Sequence, residues 1–275
     1  ALYSQKAIDA KEKGGDELTN FLTKQLNMWV TAKDGQYIDL SKFKECESNL
    51  TLEDMKGKEA YLGFDLSKGG DLTSIALVFP LENNQIYIYS HSFMPELRLA
   101  EHEKTDDVPY RIWVREGLLT LTTGAFGIKT DYKFIVTHLK EVIERYNIKI
   151  LECGYDAHNA GSFLSDLDFL DCDLTEVKQS AKSLNDATVD FALSVEAVQI
   201  LYDKRNSLLK WSIANATTVS NSFGEKKIDK QSQKNRIDPV DAIIDAWKIM
   251  LINKKETVNN DEAVEEWLDL INKRR

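Results

Sequence analysis

The stretch AYLGFDLSKGGDLTSIALVFP, residues 60–80, constrains the fold more than any other part of the chain. Two apolar runs flank a Gly-Gly turn, and a third run, QIYIYSHSFM, follows the turn LENNQ. Short apolar runs bounded by turn residues read as strands, so the sequence predicts an antiparallel three-strand meander starting near Ala60. Asp65 stands inside the first run. A buried carboxylate without a partner is costly there, and its presence asks for an explanation.

The residues after the meander set the fold class. DYKFIVTHLKEVIERYN has helical spacing and leads at once into the apolar run IKILECGYD. That is the order of a helix crossing over to a new strand beside the meander. AGSFLSDLDFL predicts a second helix, LTEVKQ a short strand, and LNDATVDFALSVEAVQILYDK a long helix. The last strong helix is DPVDAIIDAWKIMLINK, with Asp238 at the N-cap and Pro239 at the first helical position. The stretch containing DDVPYRIWVREGLLTLTTG reads as a long polar connection. The expected fold is therefore α/β: a mixed central sheet, the meander plus parallel strands, with helices on both faces. Three segments are expected. Residues 1–58 form an extension with helical periodicity in DELTNFLTKQLNMWV and a loop-like remainder, 59–254 form the main domain, and 255–275 form a C-terminal helix or tail.

With 275 residues and 43% hydrophobic content the chain can bury a full core. No apolar run approaches the roughly 18–20 residues of a membrane span, and the first residues lack the pattern of a signal peptide. A cytosolic protein without a membrane partner is expected. Cys46, Cys153 and Cys172 are odd in number and lack metal or redox spacing, which predicts reduced, buried thiols. A net charge of -10 argues against a polyanionic partner. Residues 201–236, however, carry eight basic residues against three acidic ones, so one face of an acidic molecule could meet phosphate. A solvated surface accounts for the same charges equally well.

Three acids stand out by position: Asp65 in the first strand, Asp156 after the strand ILECGY, and Asp238 opening the last helix. Each has an ordinary alternative, since Asp65 can bond its own turn and Asp156 and Asp238 can cap helices. If the first and fourth strands lie side by side, the first two acids become neighbours and the helix can aim Asp238 at them. Clustered carboxylates raise one another's pKa unless a cation neutralises them. Oxygen-only ligands suit Mg²⁺ or Mn²⁺. A pair of such ions about 3.5 to 4 Å apart is how nucleases clamp a phosphodiester. Asp241 lies three residues past Asp238 and is a possible further ligand, while Asp245 reads as a supporting or surface acid. Asp71, returned toward Asp65 by GGDLT, and His158, two residues past Asp156, are candidates for the surrounding shell. Lys226, Lys227, Lys230, Lys234 and Arg236, in and after a hairpin predicted over FGEKKIDKQSQKNRID, are candidates for DNA contact.

YLGFDLSKGGDLTSIALVFP, DDVPYRIWVREGLLTLTTG, ECGYDAHNA, LKWSIANATTV and KNRIDPVDAIIDAW resemble, in order, the signature stretches of the nuclease domain of the large terminase subunit of tailed bacteriophages. The likeness runs from about Phe21 to Ile252. It implies a ribonuclease H-like fold and a metal-dependent endonuclease cutting double-stranded concatemeric viral DNA during genome packaging, with two Mg²⁺ or Mn²⁺ ions. Position by position it implies Asp65, Asp156 and Asp238 as catalytic metal ligands. It also implies, in the full-length protein, an ATPase motor domain, and as partners a small terminase subunit and the portal, at the procapsid in the cytoplasm of an infected bacterium. This chain has no G-x-x-x-x-G-K-[ST] stretch and opens on ALYSQK, so it is expected to be a piece separated from its motor and without ATPase activity. Other ribonuclease H-like nucleases and resolvases share the acids but not the flanking stretches. LGFDLSKGGDLTSIALVF also resembles the first phosphate loop of actin-like ATPases, a fold that needs a duplicated domain and later glycine-rich loops. A non-enzymatic capsid or portal docking module is the remaining alternative.

Overall fold

The computed structural model describes residues 36–67, 72–124, 127–158, 160–230 and 235–254. Asp71, Lys234, the helix expected in DELTNFLTKQLNMWV and the C-terminal DEAVEEWLDLINKRR lie outside the described residues. In chain order the elements are helix α1 (Leu40–Glu45) and strands β1 (Glu47–Ser48), β2 (Glu59–Asp65), β3 (Thr73–Pro80) and β4 (Ile86–Pro95). Helices α2 (Leu99–Asp106) and α3 (Tyr110–Arg115), strand β5 (Leu119–Thr122), helix α4 (Tyr132–Tyr146) and strand β6 (Lys149–Tyr155) follow. Next come α5 (Gly161–Leu164), β7 (Asp173–Glu176), α6 (Ala181–Glu196), β8 (Ile200–Asp203) and α7 (Ser207–Asn215). The hairpin of β9 (Ala216–Ser220) and β10 (Lys226–Lys230) precedes the last described helix, α8 (238–254).

The main sheet runs β1-β8-β4-β3-β2-β6-β7, with β5 alongside β4. The meander is present: β2 and β3, and β3 and β4, pair antiparallel. Helix α4 carries the chain across to β6, which lies parallel to β2 as the sequence predicts. One face of the sheet packs Leu62, Phe64, Ile75 and Leu77 under α4. The other packs Tyr61, Ala76 and Val78 against α6 and α8. Period-2 alternation along each strand thus feeds two cores, and every apolar residue fully buried adds about 1.5–3 kcal/mol. Helix α8 buries Val240, Ile243, Ile244, Trp247 and Ile249 between the sheet and α6, and carries Asp238, Asp241 and Asp245 on the face toward the strand ends.

Three parts differ from the sequence reading. Residues 36–58, read as an extension, are built into the domain: Tyr37, Ile38, Leu40, Phe43 and Cys46 are buried, and β1 pairs with β8. The long connection holds α2, α3 and β5, and Leu99, Tyr110, Trp113 and Leu119 form a third core with Met94, Leu208 and Trp211. These elements are four to eight residues long, too short to show a period. The long helix stops at Glu196, and Val198 turns the chain at φ 53° into β8. No Gly or Pro marks that turn, so the apolar run reads as continuous helix. Cys46 and Cys153 are buried free thiols, and Cys172 is a half-buried one. Among the described residues no helix is long and apolar enough to cross a membrane.

Candidate active site

The end of β2 and the end of β6 meet. Phe64 pairs with Tyr155, so Asp65 and Asp156, the next residues, leave the sheet side by side. Two residues earlier Gly63 pairs with Gly154, on the same face by strand alternation. A Cβ on Gly63 would lie 2.1 Å from the Ala242 carbonyl oxygen, and one on Gly154 would lie 2.6 Å from that of Asp245. Only glycines let α8 sit this close, and the close seat aligns the acids of α8 with those of the strands. Asp241 and Asp245, at i and i+4 on one helix face, thereby join Asp65 and Asp156.

The result is a pocket of about 220 Å³ lined by Asp65, Asp156, Asp238, Asp241 and Asp245, with Gln179, Lys227, Asp229 and Lys230 on its rim. Burial, then Asp241, Asp238 and Asp156, push the Asp65 carboxyl well above its ordinary range, with Lys230 opposing. Asp241 is pushed up in the same direction by burial, then by Asp238 and Asp245, against Lys230 and Lys227. Asp245 is 2% exposed; burial raises its pKa and the hydrogen bond from Gln179 lowers it, while Asp65 and Asp156 raise it further. Six aspartates share a wall with two lysines, and the local charge is far from balanced.

The donor set suits a hard divalent cation in chemistry: carboxylate oxygens only, on strand ends and a packed helix. Among the described residues no three His, Cys, Asp or Glu side chains stand close enough to hold one ion as placed.

The remaining expected site residues divide. Asp238 lies in the pocket but is the first residue of α8 rather than its cap; Asp241 N–H donates to the Ile237 carbonyl at 3.0 Å, so Ile237 takes the cap position. Asp245, read as a supporting or surface acid, is among the most buried acids of the site. His158 is exposed and its backbone N–H donates to Asp156 Oδ1 at 2.9 Å; it is the turn, not the ring, that meets Asp156. Lys227 and Lys230 reach the pocket, and Lys226 is exposed beside it on β10. Arg236 is a correction. It is 7% exposed and donates through Nε to Asp106 Oδ2 at 3.1 Å, with a second guanidinium nitrogen 2.9 Å from His102 Nδ1. A guanidinium committed to that buried network faces no DNA. The predicted hairpin exists, but its turn spans 221–225, earlier than the lysine-rich loop suggests. Gln179 and Asp229 escape the sequence reading because each reaches the pocket only through tertiary packing.

A larger cavity of about 700 Å³ lies elsewhere, between β4, α3 and the start of α7. Two of its cations are paired: Lys210 Nζ is 3.0 Å from Glu47 and Arg205 is 2.6 Å from Asp203. It lacks the unbalanced charge of the aspartate pocket.

Residues 4–254 match the family model for the terminase large subunit, endonuclease domain. Protein YmfN of Escherichia coli (strain K12) is 27% identical over 263 residues, covering 91% of this chain and 56% of that protein. The terminase large subunit of Enterobacteria phage HK97 is 31% identical over 180 residues, covering 65% of this chain and 34% of that subunit. The crystal structure of the HK97 bacteriophage large terminase aligns with a TM-score of 0.66 and 26% identity, over 78% of this chain and 43% of that one. The chain therefore spans between a third and just over half the length of these curated relatives. The fold is the ribonuclease H-like one expected from the sequence.

Proposed function

The chain belongs to the terminase large subunit endonuclease domain family, and on that premise we propose that it is a metal-dependent endonuclease cutting double-stranded concatemeric viral DNA during phage genome packaging. The observation that carries the reading is the single pocket in which acids from β2, β6 and α8 converge on one side and lysines of β10 on the other.

Asp65, Asp156 and Asp238 would hold two Mg²⁺ or Mn²⁺ ions, with Asp241 placed to share them. When bound, the ions supply Lewis acidity that activates water and stabilises the leaving oxygen of the phosphodiester. The chain's own groups do the rest. The paired strand ends place Asp65 and Asp156 side by side, and the turn after β6 orients Asp156 through the His158 N–H. Lys227 and Lys230 offset the aspartates and approach a phosphate, and Lys226 extends the cationic edge along the hairpin. Contacts of this kind bind backbone without reading bases, so cutting is largely sequence-independent and weakens with salt. In the full-length protein, residues 1–35 would lead from an ATPase motor and 36–254 would carry the nuclease. The small terminase subunit and portal would be partners at the procapsid in the host cytoplasm.

The test is plasmid cleavage with Mn²⁺. Asp65→Ala and Asp156→Ala should each reduce it by at least about 10³-fold, the scale of losing a group that acts only at the transition state. Melting temperatures of both variants should stay at or above that of the parent chain. Full activity in either variant removes the assignment. Comparing Asp238→Ala with Asp241→Ala decides which acid of α8 is the main third ligand.

A further inference from the structure

We infer that Gln179 is a positioning residue of this site, holding Asp245 and Lys227 at their places in the pocket; the inference rests on the nuclease reading above. Gln179 lies in the short link between β7 and α6, half-buried on the pocket wall. Its amide nitrogen donates to Asp245 Oδ1 at 3.0 Å and to the Val177 carbonyl at 3.1 Å. Its own main-chain carbonyl accepts from Lys227 Nζ at 3.3 Å. Val177 is in turn tied to the end of β6, its N–H donating to the Tyr155 carbonyl at 2.8 Å, one residue before Asp156. One residue thus joins the strand end that bears Asp156, the helix that bears Asp245 and the hairpin that bears Lys227.

The chemistry of the amide fixes its orientation. The Val177 carbonyl can only accept, so the NH₂ must face it, and the second hydrogen of the same nitrogen is then directed to Asp245 Oδ1. With the amide flipped, oxygen would face oxygen twice. A glutamate here could not donate and would add another negative charge to a wall that already has six aspartates. A neutral double donor is the group that can hold Asp245 in one rotamer without discharging the pocket. Partners behind the ligands of a metal site change metal affinity by about 10–100-fold when removed, and Gln179 reaches this site through Asp245, which lines the pocket beside Asp65, Asp156 and Asp241.

The experiment uses the whole chain and two variants that remove the donors: Gln179→Met, near in shape, and Gln179→Ala in case the first fails to fold. Mn²⁺ binding is measured directly from the signal of free Mn²⁺ in a titration, alongside metal-free melting and the KM and kcat of cleavage. Gln179→Met should weaken Mn²⁺ binding by about tenfold or more and shift metal-free melting by only a few degrees. In an Asp245→Ala background the same change should add less than about twofold, because the positioned group is already gone. Unchanged Mn²⁺ affinity in a folded variant overturns the inference while leaving the nuclease reading intact. Equal effects with and without Asp245 also overturn it. If the parent chain neither binds Mn²⁺ nor cuts DNA, the nuclease reading falls and takes this inference with it.

Discussion

Two nests of buried charge adjoin in this molecule and are built on opposite rules. Just before α8, Asp106 is enclosed with its partners: Arg236 at 3.1 Å, Tyr110 Oη at 2.6 Å and His102 beside it. Burial alone would raise its pKa, but His102 beside it and the hydrogen bonds from Tyr110 and Arg236 hold it well below the carboxylate range. Two residues past Arg236 begins the aspartate pocket, where Asp65, Asp241 and Asp245 are all pushed upward. The first nest is satisfied within the fold and ties the start of α8 to α2. The second gathers six aspartates against two lysines and is left with like charge in excess, the pattern that marks candidate functional sites. Sequence proximity gives no hint of this contrast, since Arg236 and Asp238 read as one charged stretch.

The largest effect expected from breaking this contrast is on the satisfied side. Arg236→Ala leaves Asp106 buried without its main cation, which costs about 3–5 kcal/mol. Chemical denaturation should show that loss, and cleavage should fall only as the folded fraction falls. If Arg236→Ala instead kept full stability and selectively weakened DNA binding, the arginine would belong to the DNA surface after all.

A smaller effect comes from moving the acids without touching them. Gly63→Ala places a methyl where the Ala242 carbonyl now sits, so α8 must shift away from β2. Overpacking of this kind costs about 1–3 kcal/mol. Because α8 carries Asp238, Asp241 and Asp245, cleavage should drop by more than the loss of folded protein explains. Activity that simply tracks the folded fraction would show that the pocket tolerates the displacement.

The same pair of nests shows what is legible in the sequence. The meander, the crossover helix and α8 can be read because each is long enough to display its period and is bounded by turn or cap residues. Asp65, Asp156 and Asp238 can be singled out from their places at the ends of those elements, and the structure brings all three to one pocket. Arg236 cannot be assigned, because its partners lie 130 and 134 residues away on α2, in a stretch whose helices are too short to announce themselves. Gln179 and Asp229 are missed for the same reason: the packing of the hairpin on α6, anchored by Lys226 N–H on Asn185 Oδ1 at 2.8 Å, is a tertiary fact. Asp245 looks like a surface acid because helical spacing says which residues share a face, while the depth of that face depends on Gly63 and Gly154 across the sheet.

The smallest effect is also the sharpest test of the unbalanced side. Asp241→Asn removes one of the like charges, so in chelator the variant should be more stable than the parent by on the order of 1 kcal/mol at a pH where the parent's Asp241 is ionised. The sign follows from linkage. Groups with raised folded-state pKa contribute stability that is present below the unfolded value of about 3.9 and is lost as pH rises through the raised values. The advantage of the variant should therefore shrink as pH falls and the parent's Asp241 takes up a proton. The raw curves carry other groups. Burial lowers His138 to about 4 and holds His91 well below its ordinary value, so both histidines withdraw stability as pH falls below about 6.5. Asp106, held low, keeps its contribution until strongly acid pH. These groups are common to both proteins and cancel in the difference, which makes the gap, measured by urea unfolding at each pH, the quantity to follow. Saturating Mg²⁺ should reverse the sign, since ligand binding to the folded parent adds stability that the variant gains less of. A gap independent of both pH and Mg²⁺ would mean that Asp241 carries no strain in the pocket and that its charge belongs with the satisfied nest instead.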